Sequence, residues 1–345
     1  RQITFCLVVD DFGINYHRRQ DLGHLVDTLS SLYHVKVHPD GTKFLGLTVN
    51  YDRHRRTITL SYPSFIPTLL ARVSPSSLKS ADTPALYTPP TYGKKGPQAT
   101  TITPDSPTAS EEEVKLLQVV VGSLLYYSIA LDSTMLPAVC ALACQQSCAT
   151  KRTMQAMRRL LGYASKRPDA MLTFRPSDMY LKVHSDASYL SRANSGSVAG
   201  GMLFLGKTAN PNFFNHPILN FSTRIPVIVS SAAEAEYAAV FANATLSCDV
   251  RRTLFNLGYP QPSTPILTDN ECAVGFANGK LKVKKSKSIN MHLDWVRDRV
   301  ALGQFTVSHI AGTHNLADFF TKPLLNHSHH AISPFLVSYP PSLTK

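Results

Sequence analysis

The chain has 345 residues, with 35 Lys and Arg against 23 Asp and Glu, a formal net charge of +12, and 43% hydrophobic residues. This composition excludes a disordered tail and leaves room for two or three small domains, each with a buried core. An excess of cations this large points to a polyanionic partner, nucleic acid first, with a scattered solubilising charge as the alternative.

Ile3 to Val9 is a continuous β-prone run ending in Asp10 and Asp11, followed by Phe12-Gly13, which predicts a buried hairpin with two carboxylates at its tip. Asp21 to Tyr33 has helical spacing, and Lys43 to Val49 pairs with Thr57 to Tyr62 around the charged turn at Asp52 to Arg56. From Pro75 to Glu113, prolines among Ser and Thr read as a linker or a long exposed loop. Ser110 with Glu113 is a capping-box start, and helical patterns run from there to about Ser165. Within them, Cys140, Cys144 and Cys148 fall on one helical face as small hydrophobes. The six cysteines have no zinc-type spacing and are expected as reduced thiols.

After Pro168 and Pro176 the pattern changes. Tyr180 to His184 leading into Ser185-Asp186, the Gly-rich run Ser197 to Leu205, and the β-branched Val227 to Ser230 suggest three neighbouring strands. A long Ala-rich helix from Ser231 to about Leu257 follows. Then come a short strand at Ile266 to Thr268, an amphipathic segment at Ile289 to Ala301, and a strand at Phe305 to His309. The order β-β-β-α-β-α-β-α predicts a mixed sheet with helices packed on it. The longest apolar run, Val119 to Leu131, is shorter than the roughly 20 residues that span a bilayer, so no membrane anchor is expected. The chain opens on Arg1 with no signal peptide, which reads as part of a longer product that stays inside the cell, in the cytoplasm, the nucleus or both.

Four carboxylates stand at element ends in this last region: Asp186, a Glu in the first turns of the long helix, Asp269 and Asp318. Oxygen-only acidic clusters suit hard cations such as Mg²⁺. Two such ions about 3.5 to 4 Å apart can activate water and stabilise the leaving oxygen of a phosphodiester.

The stretches VHSDASY, SSAAEAEYAAV, ILTDNECAVGFANG and HIAGTHNLADFFTKPL resemble the ribonuclease H domain of copia-type LTR retrotransposon polyproteins. Upstream, LVVDDFGINY, KFLGLTVNYDRHRRTITLSYPSFIPTLL and VVGSLLYYSIA resemble the reverse transcriptase and connecting segments of the same polyproteins. The resemblance implies a mixed α/β (α+β) chain: a ribonuclease H-like mixed five-stranded sheet with helices, preceded by a partial reverse transcriptase palm and thumb. The expected division is 1–75 for the partial palm and start of the thumb, 76–112 for the linker, 113–176 for a helical connection, 177–325 for the ribonuclease H domain, and 326–345 for a polar tail. His327, His329 and His330 could chelate a metal, but in a polar tail are expected to do nothing specific.

The resemblance further implies that Asp186, Glu236, Asp269 and Asp318 are metal ligands for two Mg²⁺ ions, with Mn²⁺ able to substitute, acting on the RNA strand of RNA/DNA hybrids. Ser231 and Glu234 form a capping box, and Glu236 lies about 200° around the helix from Glu234, so both cannot face the sheet. Glu234 is therefore assigned to capping and Glu236, which also fits the family's A-E-Y-x-A pattern, to metal. His309 either assists the reaction or product release or is a strand-end histidine paired with water. Lys280, Lys282, Lys284, Lys285 and Lys287 are similar to the family's Lys-rich segment, where flexible ammonium groups grip phosphate without reading sequence. Asn290 and His292 depart from the pattern of the helix after it.

Asp10 and Asp11 match the catalytic turn of reverse transcriptases, with Val8 where many relatives have Tyr. The third polymerase carboxylate and the fingers lie upstream of this motif in the family, so nucleotide addition would need that upstream segment or a partner chain. The alternative reading of the whole chain is a catalytically inactive remnant that binds nucleic acid.

Overall fold

The computed structural model describes residues 3–73, 78–87, 106–192, 196–208, 210, 213–281 and 287–340. The first hairpin joins β1 (Thr4–Val8) to β2 (Asp11–Asn15) and is followed by α1 (Arg19–Ser30). The hairpin forms where the β-prone run predicts it, but it is not buried: Leu7 is 50% and Val9 92% exposed, and α1 has no buried residue. The two strands pair only with each other among the described residues, and most of their large apolar side chains face outward, Phe5 at 56% and Phe12 at 40% exposure.

A second, antiparallel sheet holds β3 (Lys43–Phe44), β4 (Leu47–Asp52) and β5 (Thr57–Ser61). Leu45 and Gly46 both take left-handed backbone, φ 52° and 77°, which closes the two-residue β3–β4 turn with the twist a hairpin needs. After α2 (Phe65–Val73), the first described stretch of the expected linker, 78–87, has no regular structure but is not free of the core, and the second, 106–112, bridges at Thr108 to Thr150 and runs into the next helix. Ala81 and Thr83 are buried, and a Cβ on Gly162 would stand 2.0 Å from Lys79 O.

Three helices follow: α3 (Glu111–Ala130), α4 (Leu136–Ala143) and α5 (Lys151–Lys166). Ser110 and Glu113 make the reciprocal capping box that their spacing predicts. At 20 residues α3 is long and apolar enough to cross a bilayer, longer than the Val119–Leu131 run alone suggests. Its Leu117, Val120, Val121, Leu124 and Tyr127 are buried in a core shared with α2, α4 and α5. Because α4 stops at Ala143, the three cysteines do not share one buried face: Cys144 and Cys148 are exposed. All six cysteines are free thiols.

Strand β6 (Met171–Phe174) then pairs with β5, extending the second sheet across the three helices. Four residues carry too little periodicity to predict a strand; the edge offered by β5 selects it.

The five-stranded sheet comprises β7 (Tyr180–Arg192), β8 (Gly196–Gly206), β9 (Pro217–Arg224), β10 (Thr264–Thr268) and β11 (Phe305–His309), in the order β11-β10-β7-β8-β9. β7, β8 and β9 are antiparallel neighbours, while β10 runs parallel to both β7 and β11. The mixed five-stranded sheet is as predicted, with one strand displaced. The third strand is Pro217–Arg224, not the β-branched Val227 to Ser230, because the register with β8 uses the earlier run and leaves the later one to lead into a helix.

That helix is α6 (Ala232–Asn256), followed by α7 (Glu271–Ala277) and α8 (Lys287–Ala301). Successive residues of β8 serve opposite faces, as period-two geometry requires. Leu203 packs with Tyr237, Val240 and Val296 on the helical face, while Met202 and Phe204 pack with Leu136, Phe319 and Leu336 on the other. The last of these belongs to α9 (Asn326–Leu336), so the expected polar tail is a packed helix. His329 is only 3% exposed, wedged against Tyr163 and Phe319, and burial first, then His330 and Arg167, pushes its pKa down to about 4. Beyond α9, Ser338 bridges Met171 and the Tyr339 hydroxyl donates to Asp132 Oδ2 at 3.0 Å.

Candidate active site

Asp186 lies within β7, opposite Gly200, and is 3% exposed. Glu236 is in the second turn of α6, which packs against β7, and is 9% exposed. Asp269 directly follows the last residue of β10, just before Asn270, whose side chain accepts from the Ala273 amide and starts α7. These three carboxylates, 50 or fewer residues apart in steps along the chain, each bring an oxygen within 4.8 Å of the others'.

Asp318 arrives by a separate route, in the short 3-10 turn Leu316–Phe320. Two side-chain contacts hold that turn on β7: Asn315 Nδ2 donates to Ser185 O at 2.9 Å, and the Leu316 amide donates to His184 Nδ1 at 3.1 Å. Asp318 is not within the three-carboxylate group. Its Oδ1 is 2.5 Å from Lys322 Nζ. The neighbouring Thr321 hydroxyl donates to Asp186 Oδ2, also at 2.5 Å.

The two glutamates of α6 divide as their helical phase predicts. Ser231 caps the helix by accepting the Glu234 amide at 3.2 Å. Glu234 reaches back one residue further than a capping box would take it, accepting from the Ser230 amide and hydroxyl at 2.7 and 2.8 Å. Glu236 faces the sheet instead. Two turns later on the same face, Asn243 Nδ2 lies 3.0 Å from Ser185 Oγ and 3.1 Å from Gly200 O, tying α6 to β7 and β8. Only glycine fits opposite it: a Cβ on Gly201 would stand 2.1 Å from Asn243 Oδ1.

The electrostatics follow from crowding acids in a half-dry site. Burial first, then the charge of Asp318, pushes the Asp186 carboxyl up to about 7, against the bond from Thr321 and the charge of Lys322. Burial, then Asp186 and Asp269, pushes Glu236 up to about 9. For Lys322, burial works against the charged form, but Asp318, Asp186 and Asp269 outweigh it and raise its pKa. A group of oxygen donors that repel one another is what a hard divalent cation relieves, so Asp186, Glu236 and Asp269 can hold one.

The remaining predicted residues stand elsewhere. His309 ends β11 in register with Thr268, exposed, and outside the carboxylate group. Lys280 is exposed in the turn after α7. Lys282, Lys284 and Lys285 lie outside the described residues, as do the side chains of Lys287, Asn290 and His292 in α8. Asp10 and Asp11 are exposed at the tip of the first hairpin, beside Val9 with φ 57°. They belong to no group of three possible metal-ligating side chains among the described residues.

Four residues beyond those predicted shape the site: Thr321, Lys322, Asn243 and Asn315. Asn243 was within reach, since it shares the helical face of Glu236. The other three follow from the fold of the turn around Asp318, which has no periodic signature.

No protein-family model matches the chain. It is 28% identical over 328 residues to the retrovirus-related Pol polyprotein from transposon RE2 of Arabidopsis thaliana, covering 94% of this chain and 21% of that polyprotein. It is 24% identical over 325 residues to the one from transposon TNT 1-94 of Nicotiana tabacum, covering 93% and 23%. The resemblance carried by the motifs therefore extends along nearly the whole chain, which spans about a fifth of the length of the curated relatives it matches. Among solved structures, the N-terminal RNase H domain of a Mycobacterium tuberculosis protein, solved fused to maltose-binding protein, matches with 13% identity and a TM-score of 0.32, over 45% of this chain and 97% of that one. A foamy viral protease-reverse transcriptase in complex with double-stranded DNA matches with 11% identity and a TM-score of 0.39, over 89% and 46%.

Proposed function

We propose that this chain is a retrotransposon reverse transcriptase/ribonuclease H fragment whose region 177–325 hydrolyses the RNA strand of RNA/DNA hybrids. The observation that carries this reading is the convergence of Asp186, Glu236 and Asp269 within 4.8 Å, from β7, the helix packed on it and the end of β10 in a mixed five-stranded sheet. The oxygen-only donor set fits Mg²⁺, with Mn²⁺ able to substitute. When bound, such ions supply the positive charge that stabilises a phosphodiester under attack and lowers the pKa of water.

The chain's own residues have the following roles in this reading. Asp186, Glu236 and Asp269 hold the cation, and Asp318 completes the acidic set from the turn held on β7. Lys280 and the lysines after it meet phosphate oxygens without reading bases. His309, exposed at the end of β11, assists the reaction or product release. Discrimination of a hybrid from other duplexes rests on the 2′-hydroxyl of one strand and on duplex shape.

The test is Mg²⁺-dependent cleavage of a labelled RNA/DNA hybrid by the chain, with Asp186→Asn and Asp269→Asn as controls. Cleavage of the RNA strand by the wild-type chain alone is the expected result. If the RNA stays intact while the hybrid still binds, the chain is an inactive nucleic-acid-binding remnant. For Asp10 and Asp11 we propose no nucleotide addition by this chain alone, and incorporation on a primed template would overturn that.

A further inference from the structure

Thr321 directly precedes Lys322 in the turn that carries Asp318, and its hydroxyl donates to the Asp186 carboxylate at Oδ2. The side chain is 1% exposed and its place is set from several sides. Ser188 Oγ donates to Thr321 O at 2.9 Å, which pins the backbone to β7. The Thr321 methyl lies against the bare Cα of Gly200, where an added Cβ would stand 2.7 Å from Cγ2. Gly200 is in turn the residue opposite Asp186 in the β7–β8 ladder. The hydroxyl has one other acceptor in reach, Asp318 O at 3.2 Å, and Asp186 Oδ2 at 2.5 Å is the nearer of the two.

A hydroxyl and an ammonium do different things to a carboxylate that must bind a cation. Both favour the ionised carboxylate. The ammonium also repels an incoming cation, whereas the neutral hydroxyl fixes the carboxylate without adding charge. The adjacent residues Thr321 and Lys322 split these tasks, Thr321 donating to Asp186 and Lys322 pairing with Asp318.

We infer that Thr321 is a positioning residue for divalent-cation binding: its hydroxyl holds Asp186 Oδ2 and so sets the orientation in which Asp186 offers a ligand oxygen beside Glu236 and Asp269. This inference rests on the cation-binding reading of the carboxylate group. Hydrogen bonds to metal-ligating carboxylates typically carry a 10- to 100-fold share of metal affinity.

The experiment is a titration of the metal-free full chain with Mn²⁺, reading free Mn²⁺ by electron paramagnetic resonance, so that no turnover is involved. Wild type, Thr321→Val, Thr321→Ser and Asp186→Asn are compared, with thermal unfolding of each as the check on folding. Thr321→Val keeps the shape but not the donor and is expected to weaken Mn²⁺ binding about tenfold or more, while Thr321→Ser keeps the donor and stays within about threefold. The pH at which Mn²⁺ binding is half complete should rise in Thr321→Val and not in Thr321→Ser, because only the valine variant loses the bond that favours the ionised carboxylate. A folded Thr321→Val protein that binds Mn²⁺ like wild type overturns the inference. So does a Thr321→Ser protein weakened tenfold, since packing and not the hydroxyl would then set the affinity. Absence of Mn²⁺ binding by the wild type, matching Asp186→Asn, overturns the cation-site reading itself and the inference with it.

Discussion

Lys322 and Asp318 face each other four residues apart, the ammonium 2.5 Å from Asp318 Oδ1, and this pair stands beside the three-carboxylate group rather than within it. The protein thus carries its own cation at the edge of its acidic cluster, with Asp186 and Asp269 also contributing to the raised pKa of Lys322.

Lys322→Met removes that charge. Divalent-cation affinity is expected to rise a few-fold at low salt, and the gain should shrink at high salt, because the Lys322 side chain is 52% exposed and partly screened. Mn²⁺ titrations at two salt concentrations check this; equal affinities for wild type and variant at low salt would show that Lys322 does not compete.

The pH dependence of stability has a fixed sign at this site. Asp186 is raised from 3.8 to about 7 and Glu236 from 4.5 to about 9, so the folded, metal-free chain binds more protons than the unfolded one between those values. Stability should therefore fall as pH rises from about 4 toward about 9. Thermal unfolding of the metal-free protein across this range should show the decline, and Asp186→Asn and Glu236→Gln should each flatten it.

The two glutamates of α6 are expected to separate cleanly. Glu234→Gln alters only contacts with Ser230 and should cost about 1 kcal/mol or less, with Mn²⁺ binding kept. Glu236→Gln should abolish tight Mn²⁺ binding yet make the metal-free protein more stable near pH 8, since it removes a buried acid whose ionisation is opposed there. Chemical denaturation and Mn²⁺ titration on the two variants give the comparison.

Gly201→Ala is expected to destabilise by about 1 to 3 kcal/mol or more, because the new methyl meets Asn243 Oδ1 at 2.1 Å and the Phe221 ring at 2.2 Å, and moving Asn243 would disturb its bonds to Ser185 Oγ and Gly200 O. Gly23→Ala, in exposed α1 with nothing within 4 Å of its Cβ, should instead be neutral or stabilising by up to about 1 kcal/mol. Equal denaturation midpoints for the two variants would contradict this packing account.

The residues alone determined whatever depends on near neighbours. The Ser110–Glu113 capping box, the phase that turns Glu236 inward while Glu234 caps, and the acids at the ends of β10 and in the turn before Lys322 were all legible, because helix and strand periods act over a few residues. Tertiary structure decided the rest. It selected Pro217–Arg224 over Val227 to Ser230 as the strand beside β8, drew β6 out of a helical region, folded α9 from a segment that reads as a tail, and left the first hairpin uncovered. It also brought Thr321 to Asp186 across 135 positions. Such contacts depend on strand order and on which edges and faces remain free once the sheet has formed, and no local periodicity encodes either.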